Sequence, residues 1–167
     1  MADEIYVDPI LKKYGDLIQN NTKVFKRIYF GEPIRIGASE LPSIILSKVD
    51  TSVKNLSNVE DEHSIRISFT VVTDVRETIS DDKPMVKGIN QLYDLMEGRQ
   101  DGTYALKPSS LLGILRHNVE LDVSQNLRTD LSSSSRVSYG MTQGKRSENG
   151  WAIEGMVEIT CHFIQNR

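Results

Sequence analysis

The chain has 167 residues, 38% hydrophobic and 26% charged, enough for a single domain that buries roughly 70% of its unfolded surface. Lys and Arg number 20 against 23 Asp and Glu, a formal charge of -3, so no whole-molecule field draws it to nucleic-acid phosphates or an anionic membrane. Cys161 is the sole cysteine, which excludes an intramolecular disulfide and a cysteine-built zinc cage and makes a reducing compartment the expected setting. Met1 to Asp8 carries acids and no base, and no apolar run approaches the roughly 18 residues of a membrane span, so neither export leader nor anchor is expected.

In chain order, Asp8 can cap and Pro9 can open a helix whose stripe is Ile10, Leu11, Tyr14, Leu17 and Ile18, with Gly15 costing it about 1 kcal/mol relative to Ala. After the break at Asn20 to Thr22, Phe25 to Ile36 predicts a short extended segment with a turn at Gly31 and Pro33. Ile44, Ile45 and Leu46 open a strand. Beyond an expected loop at Glu60-Asp61-Glu62, Ile65, Ile67, Phe69 and Val71 alternate with Ser64, Arg66, Ser68 and Thr70. Pro84 begins a second helix, with Val86, Ile89, Leu92, Tyr93 and Met96 on its apolar stripe and Gly98 at its end. A third follows Pro108, with Leu111, Leu112 and Leu115 inward and Arg116 and His117 in its last turn.

Period-two patterns return at Val119, Leu121, Val123, Gln125 and Leu127, and at Ile153, Val157, Ile159, Cys161 and Phe163. One-sided alternation belongs to antiparallel sheets with one covered face. The expected fold is therefore α+β, mainly an antiparallel sheet of about four strands with helices packed on one face. Residues 75–83 and 128–150 read as long solvated loops, the second with a weak strand signal at Arg136 to Tyr139, and loops of that length often order on a partner.

Reactive constellations are sparse. His63, His117 and His162 lack a second ligand at helical spacing, so His63 and His162 read as solvated surface residues and His117 as a helix terminus. Glu60 to Glu62 lacks the alternating oxygens and turn glycine of a calcium loop. Gly140 to Ser147 has three residues between its glycines where a phosphate-binding loop needs four, and Arg146 stands where the Mg²⁺-binding hydroxyl belongs, leaving Lys145 and Arg146 to meet an acidic partner or a phosphate backbone. Ser132 to Ser135 forms no nucleophile elbow, and Cys161 takes an inward strand position. Trp151 is either a strand cap or an interface anchor.

Val24 to Ile36, followed by Ser39-Glu40-Leu41-Pro42-Ser43-Ile44-Ile45-Leu46, resembles the opening of small neck or tail-completion proteins of tailed bacteriophages. The similarity continues in layout through the strand at Ile65 to Val75, the helix ending Leu95-Met96-Glu97-Gly98-Arg99, the turn into Leu106 and the strand after Trp151. The resemblance implies a tail terminator: an α+β subunit closing into a ring, usually a hexamer, that caps the tail tube, stops its growth and joins the head connector. It implies no cofactor and no catalytic residue. The implied partners are the chain itself, the tail tube protein, the head connector or neck protein and, as a further candidate, a tail sheath, with DNA only in passage. The location would be the virion, after assembly in the host cytoplasm. Candidate interface residues are Arg76, Glu77, Asp81, Asp82 and Lys83 in the first loop, and Arg136, Lys145, Arg146 and Trp151 in or beside the second, the two loops being expected to make the opposite axial contacts. A head-completion or connector-adaptor protein and a tail tube subunit are the structural alternatives, and a host-side binding module the bland one. A metal-dependent nuclease is the enzymatic alternative, with Asp74, Glu77, Asp81, Asp82 and Lys83 as candidates.

Overall fold

The computed structural model describes residues 6–74, 84–131, 135–142 and 152–166. Helix α1 spans Pro9–Asn21, α2 Pro84–Glu97 and α3 Leu111–His117; the strands are β1 Arg27–Phe30, β2 Ser43–Asn55, β3 Glu60–Asp74, β4 Glu120–Asp122, β5 Leu127–Asp130, β6 Val137–Thr142 and β7 Ala152–Asn166. The class is α+β, but the sheet is larger than the sequence suggests. It has seven strands in the order β1-β2-β3-β7-β5-β4, with β6 also on β7, and it is mixed, because β1 runs parallel to β2 while the other pairs are antiparallel. The extra strands are short or polar, so none shows a long alternating run.

β3 and β7 form the centre, paired continuously from Glu60↔Asn166 to Asp74↔Ala152. Their odd-numbered residues Ile65, Ile67, Phe69, Val71, Ile153, Val157, Ile159 and Cys161 share one buried cluster with Leu11, Tyr14 and Ile18 of α1, Leu92, Leu95 and Met96 of α2, and Leu111, Leu112 and Leu115 of α3. The helices therefore cover one phase of the strand alternation. On the opposite face a smaller cluster joins Ile36, Leu41, Ile45, Val72 and Ala152. It is held from outside by Glu40, whose carboxylate accepts from Tyr29 Oη at 2.8 Å and Gly37 N at 2.9 Å. These bonds, with that from the Gly37 amide foremost, hold the Glu40 carboxyl below its usual range.

α1 begins as its sequence predicts. Asp8 accepts from the Ile10 and Leu11 amides and from Lys48 Nζ. Partial burial alone would raise its pKa, but the Lys48 bond and the two amides outweigh it and leave the carboxyl below its ordinary value. Gly15 has a packing consequence as well: a Cβ there would stand 2.7 Å from Phe30 Cζ, so the ring lies against the helix in the space a side chain would take. α3 carries Ser110 at its N-cap, and His117 Nδ1 closes its last turn on the Gly113 carbonyl at 2.7 Å, the terminal role expected of it.

Several expectations need correction. Val119 to Leu127 is not one strand. Asp122 accepts from both the amide and the hydroxyl of Ser124, starting a 3-10 turn, and Asn126 takes a left-handed φ of 50°, so the run folds into the β4–β5 hairpin and Val123 is left 73% exposed. Glu60 to Glu62 is not a loop. β3 starts there, and the turn is Leu56 to Val59, closed by bonds from the Leu56 and Ser57 amides to the Glu60 carbonyl. Residues 128–150 are likewise not all loop, since β5 runs to Asp130 and β6 occupies Val137–Thr142. Tyr93 lies outside the core, edge-on to Tyr139 with ring centroids 4.7 Å apart.

Replacing Asp8 with Ala should destabilise the fold by about 1 kcal/mol at neutral pH. Because the folded-state pKa is depressed, that contribution is complete above the usual carboxylate range and is lost as the pH falls through it. Wild type and D8A should therefore converge in denaturant midpoint only as the pH falls below the usual carboxylate range, through the depressed value of the folded state. Tyr14 Oη and Thr129 Oγ1 share a buried 2.8 Å hydrogen bond. Tyr14→Phe should cost about 1–3 kcal/mol by stranding the threonine hydroxyl, and adding Thr129→Val should recover much of the loss in urea titrations.

Candidate assembly surface

β2 changes character along its length. Ser43 to Leu46 are buried and paired with β1, whereas Lys48 to Asn55 are exposed and pair only with β3. The reason lies in the sequence, where Ile44-Ile45-Leu46 gives way to Lys48-Val49-Asp50-Thr51-Ser52-Val53-Lys54, too polar to hold a covering helix. A register shift between Lys48 and Asp50 marks the transition. Beyond it, β2 and the start of β3 form a long hairpin, with the last residues of β7 on its far side. Glu62 sits opposite Lys54, which accommodates a charge in a strand solvated on both faces.

This arm carries apolar side chains that its own chain leaves uncovered: Val53 57% exposed, Leu56 44%, Val59 61% and Ile164 41%. Its root is closed by His63, which stacks on Phe163 with centroids 4.5 Å apart and planes 9° apart. His63 is thus half-buried, with Nε2 enclosed and lacking a hydrogen-bond partner, rather than a solvated surface histidine. The outer edge of β2 along the arm is paired with no strand among the described residues, and a long unpaired edge is a template for another chain.

His162 is also only half-exposed and is hydrogen-bonded. Ser64 Oγ lies 2.7 Å from its Nδ1, and Asp130 Oδ2 lies 3.4 Å from its Nε2. The residues come from β3, β7 and β5, on the face away from the helices. Their types match a nucleophile, base and orienting acid, but the setting does not match acyl transfer. Ser64 lies inside a strand paired on both sides, opposite Ser52 and His162, so the backbone amides there serve the ladders and none is left to stabilise an oxyanion. The same face carries Arg66 between Asp50 and Glu158, a second polar row across three strands. Both rows read as cross-strand pairing on a solvated sheet face.

Of the sequence-predicted interface residues, Arg136 is exposed just before β6. Arg76, Glu77, Asp81, Asp82, Lys83, Lys145, Arg146 and Trp151 lie outside the described residues, as do most of the nuclease candidates; Asp74 alone of that group is described, at the end of β3. The flanks of the two segments are informative. Asp74 and Thr142 both pair with Ala152, so both segments join the sheet at one end, and the Leu56–Val59 turn stands at the other. The arm is hidden in the sequence because its acids resemble a loop; its signal is Val49, Val53, Leu56 and Val59 within a run of strand-forming residues. Comparison with models of known protein families and with curated proteins gives no match.

A fluorophosphonate probe should leave Ser64 unlabelled at concentrations that saturate a serine hydrolase. Stoichiometric labelling abolished by Ser64→Ala would instead make it a nucleophile.

Proposed function

We propose that this chain is a ring-forming virion structural protein, a tail terminator that caps the tail tube, stops its polymerisation and joins the tail to the head connector. The observation that carries the reading is the arm: a strand pair with an open edge and exposed valine and leucine that no part of the chain covers among the described residues. Such a surface is a liability in a monomer and an asset in an assembly. Among the described residues the arm, at one end of the sheet, has no counterpart at the other, and an association that seats it on a different surface of the next copy joins unlike surfaces. Contacts of that kind close into rings when the rotation permits and otherwise run on as filaments. The layout resemblance to tail-completion proteins supplies the biological setting. A terminator acts by presenting the tube with a matching surface on one side and no growth surface on the other, so shape replaces reactive groups as the source of activity.

Negative-stain imaging of the purified protein should show discrete annuli. Filaments would identify a tube subunit instead, and a monodisperse monomer at high concentration would overturn the reading. Tails assembled without the protein should be over-long.

A further inference from the structure

We infer that the tip of the β2–β3 arm docks into the groove between α1 and β1 of a second copy of this chain, an inference that rests on the ring-forming reading and specifies its contact. The groove, of about 730 Å³, has an apolar floor that includes Phe25, Ile28 and Phe30 and, among the described residues, a rim carrying Lys12, Lys23, Lys26 and Arg27 against one acid, Asp16. Lys12, Lys26 and Arg27 are solvent-exposed, and Phe30 keeps 39% of its surface in water. β1 is the terminal strand of the sheet, so its outer backbone edge is also open there.

The arm tip is the complement. Leu56 and Val59 are exposed on its turn, and Glu60, Asp61 and Glu62 follow at once. Apolar residues thus face an apolar floor while an acidic run meets a basic rim, the arrangement that both orients and selects a partner. Intramolecular docking is excluded by length. Phe30 sits beside Leu46, and the chain runs from there as an extended strand to Leu56, roughly 30 Å at the usual rise per residue. A strand held by its ladder to β3 cannot fold back across that distance. The contact is therefore made between copies and joins two different surfaces, so each subunit gives one arm and receives one.

Charge reversal tests this with its own rescue. Glu60→Lys with Glu62→Lys places a basic tip before a basic groove, and Lys26→Glu with Arg27→Glu places an acidic tip before an acidic groove. Each double variant should weaken self-association on the order of 100-fold in sedimentation velocity, with the circular dichroism of the folded chain retained. Mixed in equal amounts, they should reassemble, because each altered surface then meets its complement in alternation. Leu56→Ser with Val59→Ser, on the exposed turn, should weaken association without altering charge. Rings that persist in either charge variant, or folded variants that fail to reassemble on mixing, would overturn this contact while leaving ring formation intact. A wild-type chain that stays monomeric would remove both.

Discussion

The β3–β7 pairing is the constraint on which the rest of the molecule depends. It is the longest ladder in the sheet, and it fixes which residues of both strands share a face. A slip of β3 by one residue would send Ile65, Ile67, Phe69 and Val71 into water and bring Arg66 beneath the helices. The helices have no comparable cohesion of their own: α3 has seven residues, and α1 carries a buried glycine. They persist because the apolar phase of this ladder gives them somewhere to put Leu11, Tyr14, Ile18, Leu92, Met96 and Leu111.

That apolar phase ends before the ladder does. Inward positions are filled by Ile65 and Cys161, then by His63 on Phe163, and beyond that pair by Asp61 and Gln165. Where burial stops, the hydrogen-bonded strands continue, and the arm is the result. Cys161 marks the inner side of this boundary. Burial pushes its thiol up to about 11, so it stays a small apolar filler and not a nucleophile.

The parts legible in the sequence are those whose burial is one-sided over several residues. α1 was readable from Asp8, Pro9 and its stripe, the last two helices from theirs, and the central strands from strict alternation. Strands stabilised mainly by neighbours left a fainter trace, a weak signal at Arg136 to Tyr139 and a short extended segment before Gly31. β6 is Val-Ser-Tyr-Gly-Met-Thr and β1 only four residues, and both exist because β7 and β2 offer them an edge. The β4–β5 turn was hidden for the opposite reason: Val119, Leu121, Val123 and Leu127 alternate well, but Asp122 bonding to Ser124 outcompetes extended backbone. The candidate surface was less legible than the fold. Charge at Glu60 to Glu62 reads as a loop, whereas these are half-buried strand residues whose carboxylates keep contact with water.

Edge protection elsewhere in the sheet gives the arm its meaning. β4 has three residues and β1 four, and a turn at Gly31, with a φ of 90°, ends β1 at once. Brevity of that kind limits pairing with foreign strands. The free stretch of β2 is longer than either and contains no proline; the irregularity between Lys48 and Asp50 falls at its root, not along its length. It also exposes Val53 in mid-strand and Leu56 and Val59 at the turn, where polar residues would cost the fold nothing. A chain that keeps β1 and β4 short while leaving the β2 edge long and apolar has kept the feature that monomers eliminate. The acids at the tip make that surface selective, since they repel a second tip and favour a basic recess, so an arm that would otherwise pair indiscriminately is directed to a surface of opposite sign.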